Sequence, residues 1–87
     1  MRVYRIVFTK QAARSLQKMP RDVANLVREK LHQIALDPFA SHNAVTKLQN
    51  REGYHLRVGD WRVIYDVQKE EVVILVLKVA SRGEVYR

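Results

Sequence analysis

The chain has 87 residues with a formal net charge of +7 at pH 7; 47% of its residues are hydrophobic and 29% are charged. This length predicts a single domain over residues 1–87, and the absence of cysteine excludes disulfides and thiolate metal sites. The excess of positive charge predicts an anionic partner, which could be nucleic acid, an acidic protein or a membrane surface. A soluble basic domain without such a partner is the alternative.

Signals for export, membrane insertion and metal binding are not found in the sequence. Arg2 and Arg5 interrupt the N-terminal apolar residues, so we expect no signal peptide. The longest apolar run, residues 72–77, is too short to cross a bilayer. The chain has three histidines, His32, His42 and His55, and their spacing is not that of zinc ligands. We therefore expect a cytoplasmic protein without a membrane partner, a metal or another cofactor.

The N-terminal part predicts a strand followed by a helix. Residues 2–8 are rich in β-forming side chains, which indicates a first strand. Thr9 can cap a helix over residues 10–18. Four residues at helical spacing give this helix an apolar face: Ala12, Ala13, Leu16 and Met19.

Three basic residues lie four apart on the opposite side of this helix. They are Lys10, Arg14 and Lys18, and their spacing suits the phosphates of RNA. We treat them as candidate RNA-binding residues. A solvated helix face has the same pattern, so the alternative that they are only surface charges stays open.

A second helix is predicted from Pro20 to about Leu36. Proline suits the first turn of a helix, and Asp37-Pro38 ends it. Its apolar face is Val23, Leu26, Val27, Leu31 and Ile34. Residues 39–50 have little regular pattern and are predicted to be a loop, in which Lys47-Leu48 returns to the fold with Leu48 as an apolar anchor.

The strongest local pattern is a two-stranded hairpin over residues 54–65 with Gly59-Asp60 at its tip. A two-residue loop with glycine is a strong hairpin signal because primed turns need a positive φ. With this loop Arg57 lies opposite Arg62, and opposed residues share one face of the sheet. The same face carries His55, Ile64 and Asp66. The other face is apolar and is predicted to face the core: Tyr54, Leu56, Val58, Trp61, Val63 and Tyr65.

Residues 72–80 form an almost continuous apolar run, which is typical of a central strand. Strand alternation puts Lys78 and Arg82 on one face. It puts four apolar residues on the other face, which we expect to contact the helices: Val73, Leu75, Leu77 and Val79. Arg82 is then expected on the same side as the hairpin arginines.

The predicted order is β-α-α-β-β-β, which indicates an α+β fold. Two apolar helix faces joined by a short connection need a sheet to pack on. We therefore predict an αα-hairpin packed on one face of a mainly antiparallel four-stranded sheet, with the other face partly open.

The pattern brings five polar residues together: His55, Arg57, Arg62, Arg82 and Tyr86. Gly83 permits a bend that could place Tyr86 over the cations. Guanidinium groups can hold a phosphodiester by bidentate hydrogen bonds and stabilise the added charge of a pentavalent phosphorane. RNA supplies its own nucleophile, the 2′-hydroxyl, so such a site can cleave it without a metal. Alternatively, the arginines form ordinary salt bridges with acidic residues, for which Asp66, Glu52 and Glu84 are available.

The sequence leaves two candidates for the general base, Tyr86 and His55. A tyrosine pKa is ordinarily about 10, and nearby cations would lower it by favouring phenolate. Histidine has an ordinary pKa of about 6.5, which is closer to neutral pH. These two arguments do not rank the candidates.

Three stretches carry a family resemblance: Lys47-Leu48, the hairpin motif Arg57-Val-Gly-Asp-Trp-Arg62-Val-Ile-Tyr65, and the ending Arg82-Gly-Glu-Val-Tyr86-Arg87. Together with the element order, they resemble the RelE/ParE superfamily of bacterial toxins over essentially the whole chain. Two activities share that fold. RelE-like members are ribosome-dependent endoribonucleases that cut mRNA in the A site, whereas ParE-like members inhibit DNA gyrase and usually lack the arginine and tyrosine set.

The resemblance implies RelE-like roles for several residues. Arg62 matches the arginine that contacts the scissile phosphate, Arg82 the one that stabilises charge and protonates the leaving group, and Tyr86 the tyrosine assigned as base. Arg57 and His55 stand where RelE-like members often have two lysines. Arg57 keeps the positive charge, whereas His55 departs from the pattern.

The implied protein is the toxin of a type II toxin-antitoxin system, a metal-independent endoribonuclease that cleaves mRNA by attack of the 2′-hydroxyl on the scissile phosphate. Its implied partners are a cognate antitoxin and the ribosome with its mRNA and rRNA. Two other functions remain open. One is a ParE-like inhibitor of DNA gyrase, and the other is a non-catalytic binding module with the toxin fold.

Overall fold

The computed structural model describes residues 3–81 and has an α+β fold. Its elements are β1 (Arg5–Phe8), α1 (Lys10–Lys18), α2 (Arg21–Leu36), β2 (Val45–Lys47), β3 (Tyr54–Val58), β4 (Trp61–Gln68) and β5 (Val73–Ser81). One sheet contains the strands in the order β1-β5-β4-β3-β2. Only the β1–β5 pair is parallel among these strands. The predicted fold class is confirmed, although the sheet has five strands rather than four.

Both helices begin and end where local sequence signals predict. The hydroxyl of Thr9 accepts a hydrogen bond from the amide of Ala12 at 3.2 Å, which satisfies one of the amides left unpaired at the start of α1. α2 begins directly after Pro20 and ends before Asp37-Pro38. Neither helix in residues 3–81 is long and apolar enough to cross a membrane.

The helices pack on one face of the sheet, which we name the helix face; the opposite side is the far face. Fifteen buried residues form the core between the layers: Ala12, Leu16, Met19, Ala24, Val27, Leu31, Ile34, Ala35, Leu56, Val58, Val63, Tyr65, Ile74, Val76 and Val79. The prediction that Leu26 belongs to the core is wrong, because its side chain is 43% exposed. Ala24 and Ala35 lie on the core side of α2 instead.

The end of β5 is held by side chains of the β1–α1 segment. β1 ends at Phe8, opposite Val76, so β5 extends beyond its parallel neighbour. The hydroxyl of Thr9 donates to the carbonyl of Leu77 at 2.8 Å. The side-chain amide of Gln11 donates a hydrogen bond to the carbonyl of Val79 and accepts one from the backbone amide of Val79, both at 3.4 Å. These contacts take the place of a strand and fix α1 against the sheet.

A bulge in β5 reverses the predicted alternation of its first half. Ile64 pairs with Lys78 but Tyr65 pairs with Val76, so Leu77 is an extra residue. Ile74 and Val76 therefore face the helices and are fully buried. The prediction that Val73, Leu75 and Leu77 face the helices is wrong, whereas Val79 does so. Lys78 lies on the far face as predicted, and Arg82 is outside the described residues.

The added strand, β2, lies within the segment predicted to be a loop. Ala44 adopts a φ of 63°, and its carbonyl accepts a hydrogen bond from the amide of Arg57 at 2.9 Å. This turn directs residues 45–47 along the edge of β3. The half-buried Leu48 follows, and its amide donates to the carbonyl of Gly53 at 3.0 Å. The predicted return of the chain at Lys47-Leu48 is therefore confirmed.

Candidate functional site

The hairpin formed by β3 and β4 has the predicted register. Gly59 has a φ of 58°, so it adopts the left-handed conformation that the two-residue turn requires. Arg57 pairs with Arg62, and His55 pairs with Ile64. Side chains alternate between faces, so both arginines and the imidazole lie on the far face, away from the apolar core. The placement of these residues is as predicted; their chemical roles stay predictions.

A shallow depression of about 230 Å³ opens on the far face at this point. Five residues line it: Ala44, Thr46, His55, Arg57 and Arg62. β2 supplies Thr46 on one side, because Thr46 pairs directly with His55. The central strands β3 and β4 supply the cations, so the charged floor belongs to the hydrogen-bonded part of the sheet rather than to a loop. A site built this way holds its groups in fixed relative positions.

Arg62 is largely buried, with 8% of its surface exposed. Its Nη1 donates to the carbonyls of Gly59 at 3.5 Å and Trp61 at 3.4 Å. These bonds are longer than the usual 2.7–3.2 Å of protein hydrogen bonds. Arg57 is exposed and lies directly opposite. Opposed like charges destabilise a sheet, and an anion bound between them would relieve that repulsion.

Acidic side chains do not line this depression within residues 3–81. Asp66 shares the far face, but its carboxylate accepts hydrogen bonds from the amide of Val67 at 2.9 Å and from the side chain of Gln68 at 3.3 Å. Glu52 borders a different groove, next to Phe39 and Lys69. The salt-bridge alternative therefore gains no support from Asp66 or Glu52. Glu84 lies outside the described residues.

The imidazole of His55 sits in an environment that disfavours its charged form. Burial lowers its pKa below the ordinary value of 6.5, and the positive charges of Arg62 and Arg57 lower that pKa further. At neutral pH the ring is therefore neutral and has one nitrogen that can accept a proton. A bound phosphate would oppose the arginine charges and raise the pKa of His55.

An NMR titration of the isolated protein should give a pKa below 6.5 for His55. Arg57→Ala should raise that pKa, because it removes one nearby cation, but should leave it below 6.5, because burial is the larger cause. Arg5→Ala, on an exposed residue of the same face in β1, is the matched control and should change nothing. A His55 pKa above 6.5 in the unliganded protein would contradict this account of the site.

The lowered pKa of His55 also makes the free energy of unfolding depend on pH. Below pH 6.5 the unfolded chain binds a proton on His55 that the folded chain does not yet bind. The free energy of unfolding should therefore fall as the pH drops from 6.5 to the folded pKa, and the contribution of His55 should level off below that.

The position of one hairpin tyrosine, Tyr65, excludes it as a proton carrier. Tyr65 is fully buried on the helix face, and it stacks on Tyr54 with ring centroids 5.4 Å apart. Its hydroxyl has no hydrogen-bond partner among residues 3–81. Burial raises the pKa of Tyr65 well above its ordinary value, so it stays a neutral phenol. Its role is in packing, as its predicted place on the core face implies.

Thr46 is the one described polar residue lining the depression that the sequence does not predict; Ala44 is the other unpredicted lining residue. The sequence predicts a loop at residues 45–47, so it does not connect Thr46 with His55. The only local signal was the pair of β-branched residues Val45-Thr46, which favour a strand. Two residues are too few to predict a strand.

His, Asp and Glu side chains do not cluster as a metal site anywhere in residues 3–81.

The sequence matches the profile of a family described as the ParE toxin of the type II toxin-antitoxin system parDE, over residues 6–86. The chain belongs to the RelE/ParE toxin superfamily. Solved structures agree. The archaeal RelE–RelB complex from Pyrococcus horikoshii is similar, with 31% identity and a TM-score of 0.80 over 97% of this chain and 100% of that one.

Two bacterial toxin-antitoxin complexes are also similar to this toxin. RelBE2 of Mycobacterium tuberculosis has 26% identity and a TM-score of 0.74, over 93% of this chain and 100% of that one. The intact RelBE complex of E. coli has 26% identity and a TM-score of 0.73, over 90% of this chain and 95% of that one. No curated protein sequence matches the chain. The structural matches support the RelE-like assignment within the superfamily.

The basic stripe of the toxin, Lys10, Arg14 and Lys18, is not part of the depression. All three residues are exposed on α1, opposite the buried Ala12 and Leu16. The helix layer lies on one side of the sheet and the depression on the other. The stripe and the depression therefore cannot hold the same phosphate. Arg82 and Tyr86, the other two predicted site residues, lie outside the described residues.

Proposed function

We propose that this toxin is a RelE-like endoribonuclease that cuts mRNA in the ribosomal A site. The observation that supports this most is the pairing of Arg57 with Arg62 beside His55, in a depression that no described acidic side chain lines. ParE-like members usually lack the arginine and tyrosine set, whereas this chain has arginines at the RelE-like hairpin positions. The arrangement suits a phosphodiester, which two guanidinium groups can hold by paired hydrogen bonds.

The proposed reaction uses the RNA as its own nucleophile. The 2′-oxygen forms a bond to phosphorus while the bond to the 5′-oxygen breaks, which leaves a 2′,3′-cyclic phosphate and a 5′-hydroxyl. The phosphorane carries more negative charge than the substrate. Arg57 and Arg62 stabilise that added charge, and they do so from a rigid sheet that needs little rearrangement.

Two protons must move in this reaction. The 2′-hydroxyl loses one to a base, and the leaving 5′-oxygen gains one from an acid. His55 is neutral at neutral pH and can accept a proton. Tyr86 is the base implied by the family resemblance, and Arg82 is the implied proton donor. We keep His55 and Tyr86 as the two candidates for the base, and an activity profile of His55→Ala and Tyr86→Phe against pH would distinguish them.

We propose two macromolecular partners for the toxin. The three similar complexes named above each contain a RelE-type toxin with its antitoxin, which supports a cognate antitoxin here. The net charge of +7 suits an acidic peptide and also rRNA. The exposed Lys10, Arg14 and Lys18 would contact rRNA phosphates while the depression holds mRNA. A ribosomal target places the protein in the cytoplasm.

Mapping of RNA 5′ ends after induction tests the function directly. We expect new ends at in-frame A-site positions of translated mRNAs, and these ends should carry 5′-hydroxyls. Untranslated transcripts of the same sequence should stay intact. Growth arrest without new mRNA ends would refute the proposal.

A ParE-like activity is the second candidate, because the matching family profile is that of ParE toxins. It predicts inhibition of DNA supercoiling by gyrase and an SOS response, with intact mRNA. A supercoiling assay with purified gyrase, run beside the mapping, distinguishes the two functions.

A further inference from the structure

A residue of the depression remains without a role in the proposed reaction. Thr46 lies on the edge strand β2, directly opposite His55. It is exposed, and among the described residues its hydroxyl has no hydrogen-bond partner. Opposed residues have Cβ atoms about 5 Å apart, so the hydroxyl and the imidazole border the same small space.

The hydrogen-bonding capacity of the lining residues indicates what that space can hold. Arg57 and Arg62 have only donors, which suit the oxygens of a phosphate. Thr46 and His55 are the two described lining residues whose side chains can also accept a hydrogen bond. A ribose 2′-hydroxyl both donates and accepts. The depression therefore has a phosphate-binding side and a side suited to a sugar hydroxyl.

The size of the depression agrees with this division. The depression has a volume of about 230 Å³ and is open to solvent. That is room for a phosphodiester group and part of the adjoining sugar, but a base must lie outside. Thr46 is two strands away from Arg62 and two residues further along the sheet, or about 12 Å at the usual spacings. A phosphate held by the arginines thus leaves room for one of its two flanking sugars on the side of Thr46.

We propose that Thr46 is a specificity residue whose hydroxyl binds a ribose 2′-hydroxyl next to the phosphate held by Arg57 and Arg62. The proposal rests on the proposed function to the extent that both place an RNA strand in this depression. Thr46 selects RNA over DNA at the level of binding, and it needs no part in proton transfer.

The test measures the binding of two trinucleotides of the same sequence, one of RNA and one of DNA, by NMR titration of the full chain. The shifts of His55 and Arg57 report on the depression. Thr46→Val removes the hydroxyl and keeps the shape, and Thr46→Ser is the matched control that keeps the hydroxyl. The unaltered protein should prefer RNA. Thr46→Val should weaken RNA binding about two- to tenfold, the contribution of one hydrogen bond, and leave DNA binding unchanged.

The other outcomes overturn the proposal. Equal binding of RNA and DNA by the unaltered protein would do so, as would a Thr46→Val change that affects both equally or neither. Loss of the preference in Thr46→Ser would show that the hydroxyl is not the cause. The result is independent of the cleavage test. An RNA preference lost only in Thr46→Val, in a protein that cuts no mRNA, supports Thr46 and refutes the endoribonuclease.

Discussion

Arg62→Ala should lower the rate of mRNA cleavage on the ribosome by about 10²- to 10³-fold, as expected when a group that stabilises transition-state charge is removed. Arg62 lies on β4 in the floor of the depression, with its guanidinium next to the turn at Gly59. Arg57 lies opposite Arg62 in the same depression but is exposed, so we expect it to compensate for only part of the loss. The measurement is single-turnover cleavage of ribosome-bound mRNA, with growth arrest after induction as the readout in cells.

Two further variants distinguish charge from geometry. Arg62→Lys keeps the charge but loses the planar fork of donors, so we expect only partial recovery of the rate. Arg57→Ala should have a smaller effect than Arg62→Ala, because Arg57 is exposed and its charge is screened by solvent. Arg5→Ala is the matched control. It is on the same face but lies seven residues away along β5, about 20 Å from the site.

Loss of activity in Arg62→Ala has to be distinguished from loss of fold. The change removes the packing of a largely buried side chain. It also removes the repulsion between two opposed arginines. These effects have opposite signs, so we expect the free energy of unfolding to change by only about 1 kcal/mol. Urea unfolding of both proteins checks this. Full toxicity of a stably folded Arg62→Ala protein would remove the basis of the proposed mechanism.

The parts of the fold that were predictable have strong local causes. Thr9 and Pro20 determine where the helices begin, and Asp37-Pro38 ends the second. The two-residue turn at Gly59-Asp60 fixes the register of the hairpin, and with it the pairing of Arg57 and Arg62. Each of these features depends on a few consecutive residues.

The parts that were missed depend on contacts between distant residues. β2 has three residues and forms because the turn at Ala44 presents them to β3. The bulge at Leu77 follows from the pairing of β5 with β4. An apolar run such as residues 72–77 has no alternation from which a bulge could be detected. Because β2 is not predicted, Thr46 is absent from the predicted site. Because the bulge is not predicted, the wrong residues of β5 are expected in the core.

Gly53→Ala should be the most damaging small substitution outside the depression. Gly53 has a φ of 120°, which residues with a side chain rarely adopt. A Cβ atom there would lie 3.0 Å from the backbone carbonyl oxygen of Tyr65 and 3.2 Å from Cδ1 of Leu48. The leucine side chain can move, but the carbonyl belongs to a central strand. Backbone strain and steric overlap together should cost about 2–4 kcal/mol of unfolding free energy.

Gly59, at the tip of the hairpin, provides the matched control. Gly59 also has a positive φ, of 58°, but a Cβ atom there would meet nothing within 4 Å. Gly59→Ala should therefore cost only the backbone preference, about 1 kcal/mol. Urea unfolding of the two variants measures the difference, and equal losses would show that the contact with Tyr65 is unimportant. Because Gly53 directly precedes β3, its displacement would also move His55 and Arg57. Gly53→Ala should then weaken phosphate binding even where the chain remains folded, whereas Gly59→Ala should leave the spacing of those two residues unchanged.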